Sequence, residues 1–188
     1  GDFVTTGRTP SMVSSLEFFF GSVEFGNVSL PLPITVEMWI KGDYEGYGTL
    51  LSWMSNDAPH QGIRIYAKGN SEIGVRMGGE TDVWEGGGRI LGPDVYDSRA
   101  WHYLAVSRDL NGIINVYIDG ILMARKKAFS TLGENHVLQF GQWAGDSYYD
   151  ERLDNVRIWS RVRTREEILY DMCYATTGAE PDLYAAWD

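Results

Sequence analysis

Cys173 is the only cysteine in 188 residues. No intrachain disulfide can form, and neither a cysteine-based zinc cluster nor a CxxC redox pair can be built. Basic residues are also short: 16 Lys and Arg stand against 26 Asp and Glu, a formal charge of -10. Binding to a nucleic-acid backbone depends on clustered Lys and Arg that displace counterions, so nucleic acid is excluded as a partner. No apolar run approaches the roughly 18–20 residues of a membrane helix, so insertion by that route is excluded, and no basic-then-apolar leader opens the sequence. Six prolines against 22 scattered glycines fit turns between many short strands and not a disordered linker.

What the chain has in quantity is apolar and aromatic side chains, 44% and 13% of residues, enough for one sizeable core. A single domain over residues 1–188 is expected, of all-β class. Ile34, Val36, Met38 and Ile40 alternate with Thr35, Glu37, Trp39 and Lys41, the period of a strand with one core face. Leu16 to Phe20, Val23 to Phe25, Thr49 to Met54, Gly62 to Ala67 and Glu72 to Met77 read as further strands between glycine-rich breaks. The segment from Trp101 to Lys126 reads as a meander, turned at Asn111-Gly112 and again at Asp119-Gly120. Asp-Gly between apolar strands is a strong hairpin signal, because both central positions of a type I′ turn need positive φ. One helix is expected after Thr164, which forms a capping box with Glu167 and precedes the apolar Ile168, Leu169 and Met172. It is expected to pack at the edge of the strands.

The succession WHYLAVSRD, INVYIDGILMARK, LQFGQWAG and LDNVRIWSRVRTREEI resembles the laminin-G-like, concanavalin-A-like jelly-roll modules. LEFFFGSVEF resembles their first strand pair and LYAAWD their closing strand, so the likeness spans nearly the whole chain. The resemblance implies a two-sheet antiparallel jelly-roll β-sandwich with one short C-terminal helix. It also implies a lectin-like module of a larger extracellular or cell-surface protein, with flanking domains.

Three sets of residues carry candidate chemistry. Glu80, Asp82 and Glu85 match the ExDxxE spacing of a glycosidase family that shares this fold, in which two carboxylates flank the sugar bond about 5–5.5 Å apart when configuration is retained. Strict alternation puts Glu80 and Asp82 on one strand face and Glu85 on the other, and the flanking MGG and GGG leave little chain to wall a cleft, so a solvated strand is the simpler reading. The three histidines, His60, His102 and His136, form no i,i+4 pair, and no serine lies in a G-x-S-x-G elbow. Asp154 keeps phase with Val156 and Ile158, so it is expected on the buried side. A carboxylate there needs a hydrogen bond, an ion pair or a metal. Related sandwiches imply a structural calcium at such an Asp. Calcium and a hydrogen-bond anchor remain alternatives.

The loop Gly141 to Glu151 resembles in position the calcium and ligand loop of pentraxins, with Ser55 to Gln61 as its neighbour. It departs from their ligand pattern by placing Trp143 and Ala144 ahead of Asp146, and His60 and Gln61 where an Asp-Asn pair stands. Trp143, Tyr148 and Tyr149 remain as platforms for sugar rings. Asn56, Asp57, His60, Asp146 and Asp150 are polar contacts, and Asp146 is a secondary metal candidate. The expected function is non-catalytic recognition of a glycan or polysaccharide through edge loops, assisted by calcium. The alternatives are an adhesion module that binds a cell-surface protein, and a small glycan hydrolase or lyase built on Glu80, Asp82 and Glu85.

Overall fold

The computed structural model describes residues 16–17, 21–42, 47–54, 61–68, 72–78, 100–128, 131–143 and 152–187. In chain order the strands are β1 (Leu16–Glu17), β2 (Val23–Val28), β3 (Ile34–Lys41), β4 (Tyr47–Met54), β5 (Ile63–Lys68) and β6 (Glu72–Met77). They continue as β7 (His102–Arg108), β8 (Ile113–Ile118), β9 (Ile121–Lys127), β10 (His136–Phe140), β11 (Arg152–Trp159) and, after helix α1 (Arg165–Cys173), β12 (Leu183–Trp187). One sheet runs β1-β11-β3-β7-β8-β9, with β12 also paired to β11. The other runs β2-β10-β4-β5-β6. All pairings are antiparallel. The expected two-sheet sandwich with one short C-terminal helix is the architecture found.

Alternation decides which side chains meet between the sheets. From the first sheet Ile34, Val36, Met38, Ile40, Leu104 and Val106 point inward, and from the second Leu51, Trp53, Ile63, Ile65, Val75 and Phe140 close on them. Side chains of this kind stabilise the fold by roughly 1.5–3 kcal/mol each when fully buried. Trp53 is buried with its polar edge satisfied, because its Nε1 donates to the Val28 carbonyl at 2.8 Å.

The other face of β3 is also covered: Thr35 and Glu37 are buried, and Trp39 and Lys41 half-buried. Helix α1 lies across it, not at the edge: Ile168 packs with Tyr103 and Ala105, flanked by Trp39, Tyr117 and Met172. Thr164 caps the helix and closes a box with Glu167, as the sequence predicts. Beneath the helix, Trp159 Nε1 and the Tyr103 hydroxyl donate to the same Glu37 oxygen at 2.8 and 3.2 Å. Arg163 stacks 3.9 Å above the Trp159 ring and donates to the Asp171 carboxylate, while Arg157 donates to the Asp171 and Tyr174 carbonyls at 2.9 and 3.0 Å. Burial pushes the Glu37 carboxyl up to about 8, reinforced by the negative charge of Asp171 and opposed by the Trp159 hydrogen bond and by Arg163 and Arg157. The helix docks on a face because polar partners for its Asp171 wait there.

The β8–β9 turn has the expected geometry, Asp119 at φ 51 and Gly120 at φ 72. The turn also meets the helix, as Arg165 Nε donates to the Gly120 carbonyl at 2.8 Å and a side chain at Gly120 would run into Leu169.

Candidate functional site

The strand β10 ends at Phe140; Gly141, with a φ of 80, turns the chain, and Gln142 and Trp143 follow on the outer face of the five-stranded sheet. Two hydrogen bonds hold this segment: Ser52 Oγ donates to the Gln142 carbonyl at 2.9 Å, and Ser22 Oγ to Gln142 Oε1 at 2.7 Å. Trp143 is half-buried, its ring centre 4.1 Å from the Arg64 guanidinium carbon. Arg64 is itself anchored, with Nε and Nη2 donating to Thr49 Oγ1 at 3.0 and 2.8 Å, and the Tyr66 ring lies 5.3 Å on. Tyr66 spreads over Gly74 of the neighbouring strand, where a Cβ would collide with its ring. The sheet thus holds a cation between two aromatic rings, an arrangement stabilised by the negative faces of the rings.

The register extends this cluster into a row. Glu24 pairs with Gln139, Gln139 with Ser52, Ser52 with Arg64 and Arg64 with Arg76, one residue from each of the five strands. Their sequence neighbours Phe25, Leu138, Phe140, Leu51, Trp53, Ile63, Ile65, Val75 and Met77 belong to the core, so the row faces away from it. Gln139 Nε2 donates to Glu24 Oε2 at 2.7 Å, which fixes the amide's direction. Sequence reasoning missed Arg64, Tyr66 and Arg76. Alternation alone marks them as outward-facing, but only the pairing register aligns them with Gln139 and brings Arg64 beneath Trp143.

Of the other residues singled out, Asp154 is buried, with 6% of its surface exposed. Its side chain lies on a different face from the one expected. A bulge between Asp154 and Arg157, with Asn155 at φ 48, inverts the alternation: Asp154 sits opposite Trp39, whereas Leu153 and Ile158 sit opposite the core residues Ile40 and Val36. Asp154 Oδ1 accepts the Asn155 backbone N–H at 2.8 Å, which closes the bulge. Among the described residues no three His, Cys, Asp or Glu side chains gather as a metal site. His102 Nδ1 lies 2.7 Å from Asp119 Oδ2, whose Oδ1 accepts the Tyr103 N–H, so this histidine steadies a hairpin. His136 is buried against Trp53, 4.8 Å between ring centres. The candidates Asn56, Asp57, His60, Glu80, Asp82, Glu85, Asp146, Tyr148, Tyr149 and Asp150 lie outside the described residues.

A separate cavity of about 400 Å³ opens at one end of the sandwich, lined by Leu30, Leu32, Leu110 and Leu132 together with Arg108 and Glu134. Its lining carries no aromatic ring among the described residues. As a surface for a sugar ring it is inferior to the Trp143 face.

Residues 20–169 match the laminin-G family model described as the concanavalin A-like lectin/glucanases superfamily. The chain belongs to this superfamily. No curated protein is a significant sequence match. Among solved structures the chain is similar to domain 4 of AbnA, an extracellular arabinanase from Geobacillus stearothermophilus, in complex with arabinotriose. The TM-score is 0.66 at 19% identity, covering 89% of this chain and 81% of that one. It is similar to the CBM40 of the Ruminococcus gnavus IT-sialidase bound to alpha2,3 sialyllactose, with TM-score 0.59, 14% identity, and 85% and 98% of the two chains covered. A SAP-like pentraxin from Limulus polyphemus gives TM-score 0.62 at 14% identity over 80% and 74%. At these identities the likeness establishes the fold.

Proposed function

We propose that this chain is a non-catalytic carbohydrate-binding module that acts outside the cell as part of a larger protein, and that its ligand is a glycan or polysaccharide. The observation that carries the reading is Trp143, held half-buried on Arg64 where the loop after β10 leaves a polar sheet face. A ring fixed from below loses little freedom when a sugar stacks beside it, and Gln139 and Glu24 supply amide and carboxylate partners for hydroxyl groups. Two similar folds bear names that point the same way, one solved with arabinotriose and one with sialyllactose. The edge loops beginning at Gln142 are the proposed contact region.

A broad glycan array, run with calcium and again with a chelator, tests this. Specific glycan signals are expected; silence under both conditions would sink the reading. Calcium enters the proposal as an assistant at Asp154, and the Asn155 hydrogen bond supports the competing anchor role. A ligand of the native state raises its melting temperature. A melting temperature and array pattern indifferent to chelation therefore leave Asp154 as an anchor only. A protein-binding adhesion module is the second reading, favoured by the exposed Ile121, Leu122 and Met123 on β9. Binding to protein ligands with a silent glycan array would select it.

A further inference from the structure

The outer row of the five-stranded sheet ends in two arginines side by side. Arg64 and Arg76 are directly opposed on β5 and β6. Opposed residues in an antiparallel pair have Cβ atoms about 4.5–5.5 Å apart, and like charges so placed repel. Arg64 is relieved by Thr49 and by the rings of Trp143 and Tyr66. Arg76 has no such relief. Among the described residues it makes no hydrogen bond or ion pair, and its Nε is enclosed without an acceptor. The residue as a whole remains half-buried, so part of it still meets solvent. Enclosing a guanidinium N–H without an acceptor costs free energy, and placing it against a second cation costs more.

The opposite end of the row has the opposite sign. Glu24 is exposed on β2 and accepts from Gln139. Adjacent strands lie about 4.7–4.9 Å apart, so Glu24 and Arg76, four strand spacings apart, are separated by a length suited to an oligosaccharide; Ser52 and Arg64 between them are buried beneath Gln142 and Trp143, which form the surface there. Trp143 stands over Arg64, next to Arg76.

We propose that this sheet face takes an acidic saccharide across its accessible residues, with the carboxylate of a uronic or sialic acid unit on Arg76 and an adjoining ring beside Trp143. The proposal rests on the carbohydrate-binding reading and narrows it to a ligand class and a direction. The acidic unit lies at the β6 end, because Glu24 repels a carboxylate from the β2 end. A planar carboxylate matches the two-pronged guanidinium better than a hydroxyl does, and brings a counter-charge to Arg76. The net charge of -10 opposes long-range attraction of an anion, so recognition is local. Its reach is about the 10 Å screening length at 0.1 M salt.

The test is an array of uronic- and sialic-acid glycans printed beside their carboxyl-reduced counterparts and a sulfated, uronate-free galactan, followed by calorimetric titration of whatever binds. The acidic member of a pair is expected to bind at least tenfold more tightly than its reduced counterpart. Arg76→Gln is expected to erase that difference without lowering the melting temperature, and Arg76→Lys to retain part of it. Should Arg76→Gln lower the melting temperature, the Lys variant and the reduced glycans still decide. Equal binding of reduced glycans, or Arg76→Gln binding acidic glycans like the parent, overturns the proposal and leaves the carbohydrate-binding reading intact. Equal binding of the sulfated galactan overturns the carboxylate assignment. Silence across the whole array overturns the underlying reading itself.

Discussion

Glu37 is a carboxyl group with no exposed surface, lodged under a helix whose Asp171 carries the same sign of charge. Its ionisation is raised from 4.5 to about 8, chiefly by burial. Between these values the folded chain keeps the proton that the unfolded chain has released, so stability falls as pH rises through the window and levels off above it. Glu37→Gln keeps an oxygen for Trp159 Nε1 and removes the titration. The variant is therefore expected to lose less stability than the parent between pH 5 and pH 8, by on the order of a few kcal/mol. Denaturant titrations at both pH values measure this; parallel losses in the two proteins would remove Glu37 as the cause. Nothing in a period-two count foretells such a residue. The alternation sets Thr35, Glu37, Trp39 and Lys41 on the face away from the sandwich core, and it carries no sign that a helix packs over that face. Asp154 escaped the same count for a different reason: the bulge at Asn155 adds a residue to β11 without leaving a composition signal.

Short-range elements were more legible. The capping box and the Asp-Gly turn are written in adjacent residues, and both occur as expected. The helix's docking surface depends on Arg157, Trp159 and Arg163 meeting Asp171 and Glu37, contacts between residues far apart in the chain, and the sequence left it at the edge of the sandwich. The cap itself offers a measurable contribution. Thr164→Ala removes the side-chain acceptor of the Glu167 N–H and is expected to cost about 1 kcal/mol in a denaturant titration. A loss below the error of the titration would mean that tertiary contacts alone set the helix start. The Arg161 hydrogen bonds, with help from the Thr164 backbone N–H, hold the Glu167 carboxyl down to about 2. Its contribution is thus complete above its ordinary value and fades as pH falls from about 4.5 towards 2, the reverse of Glu37.

For the whole molecule, the all-β class and most strands were legible from alternation and turn residues, and the two-sheet sandwich from the family resemblance. The five-residue row was not, because it exists only in the register between strands. The same limit applies to sheet edges. At the edge strand β9, Ile121, Leu122 and Met123 are exposed to 58%, 45% and 38%, next to Arg125, Lys126 and Lys127. Charged residues on an edge discourage pairing with another chain. Replacing Lys126→Val and Lys127→Val together is expected to shift the protein to larger species in size-exclusion chromatography with light scattering. An unchanged elution mass would show that these lysines do not guard the edge.

The strand β11 has one further property. Along one side it pairs with β3, and along the other it holds β1 at Arg152 and Leu153 and β12 from Val156 to Trp159. The first and last described strands therefore lie end to end on a single neighbour. Tension applied between them is borne locally, by the hydrogen bonds that β1 and β12 make with β11. The five-stranded sheet, with Trp143 and the arginine pair on its outer face, stands outside that line of force, so a module tethered through these two strands can be pulled while its proposed ligand face stays unloaded.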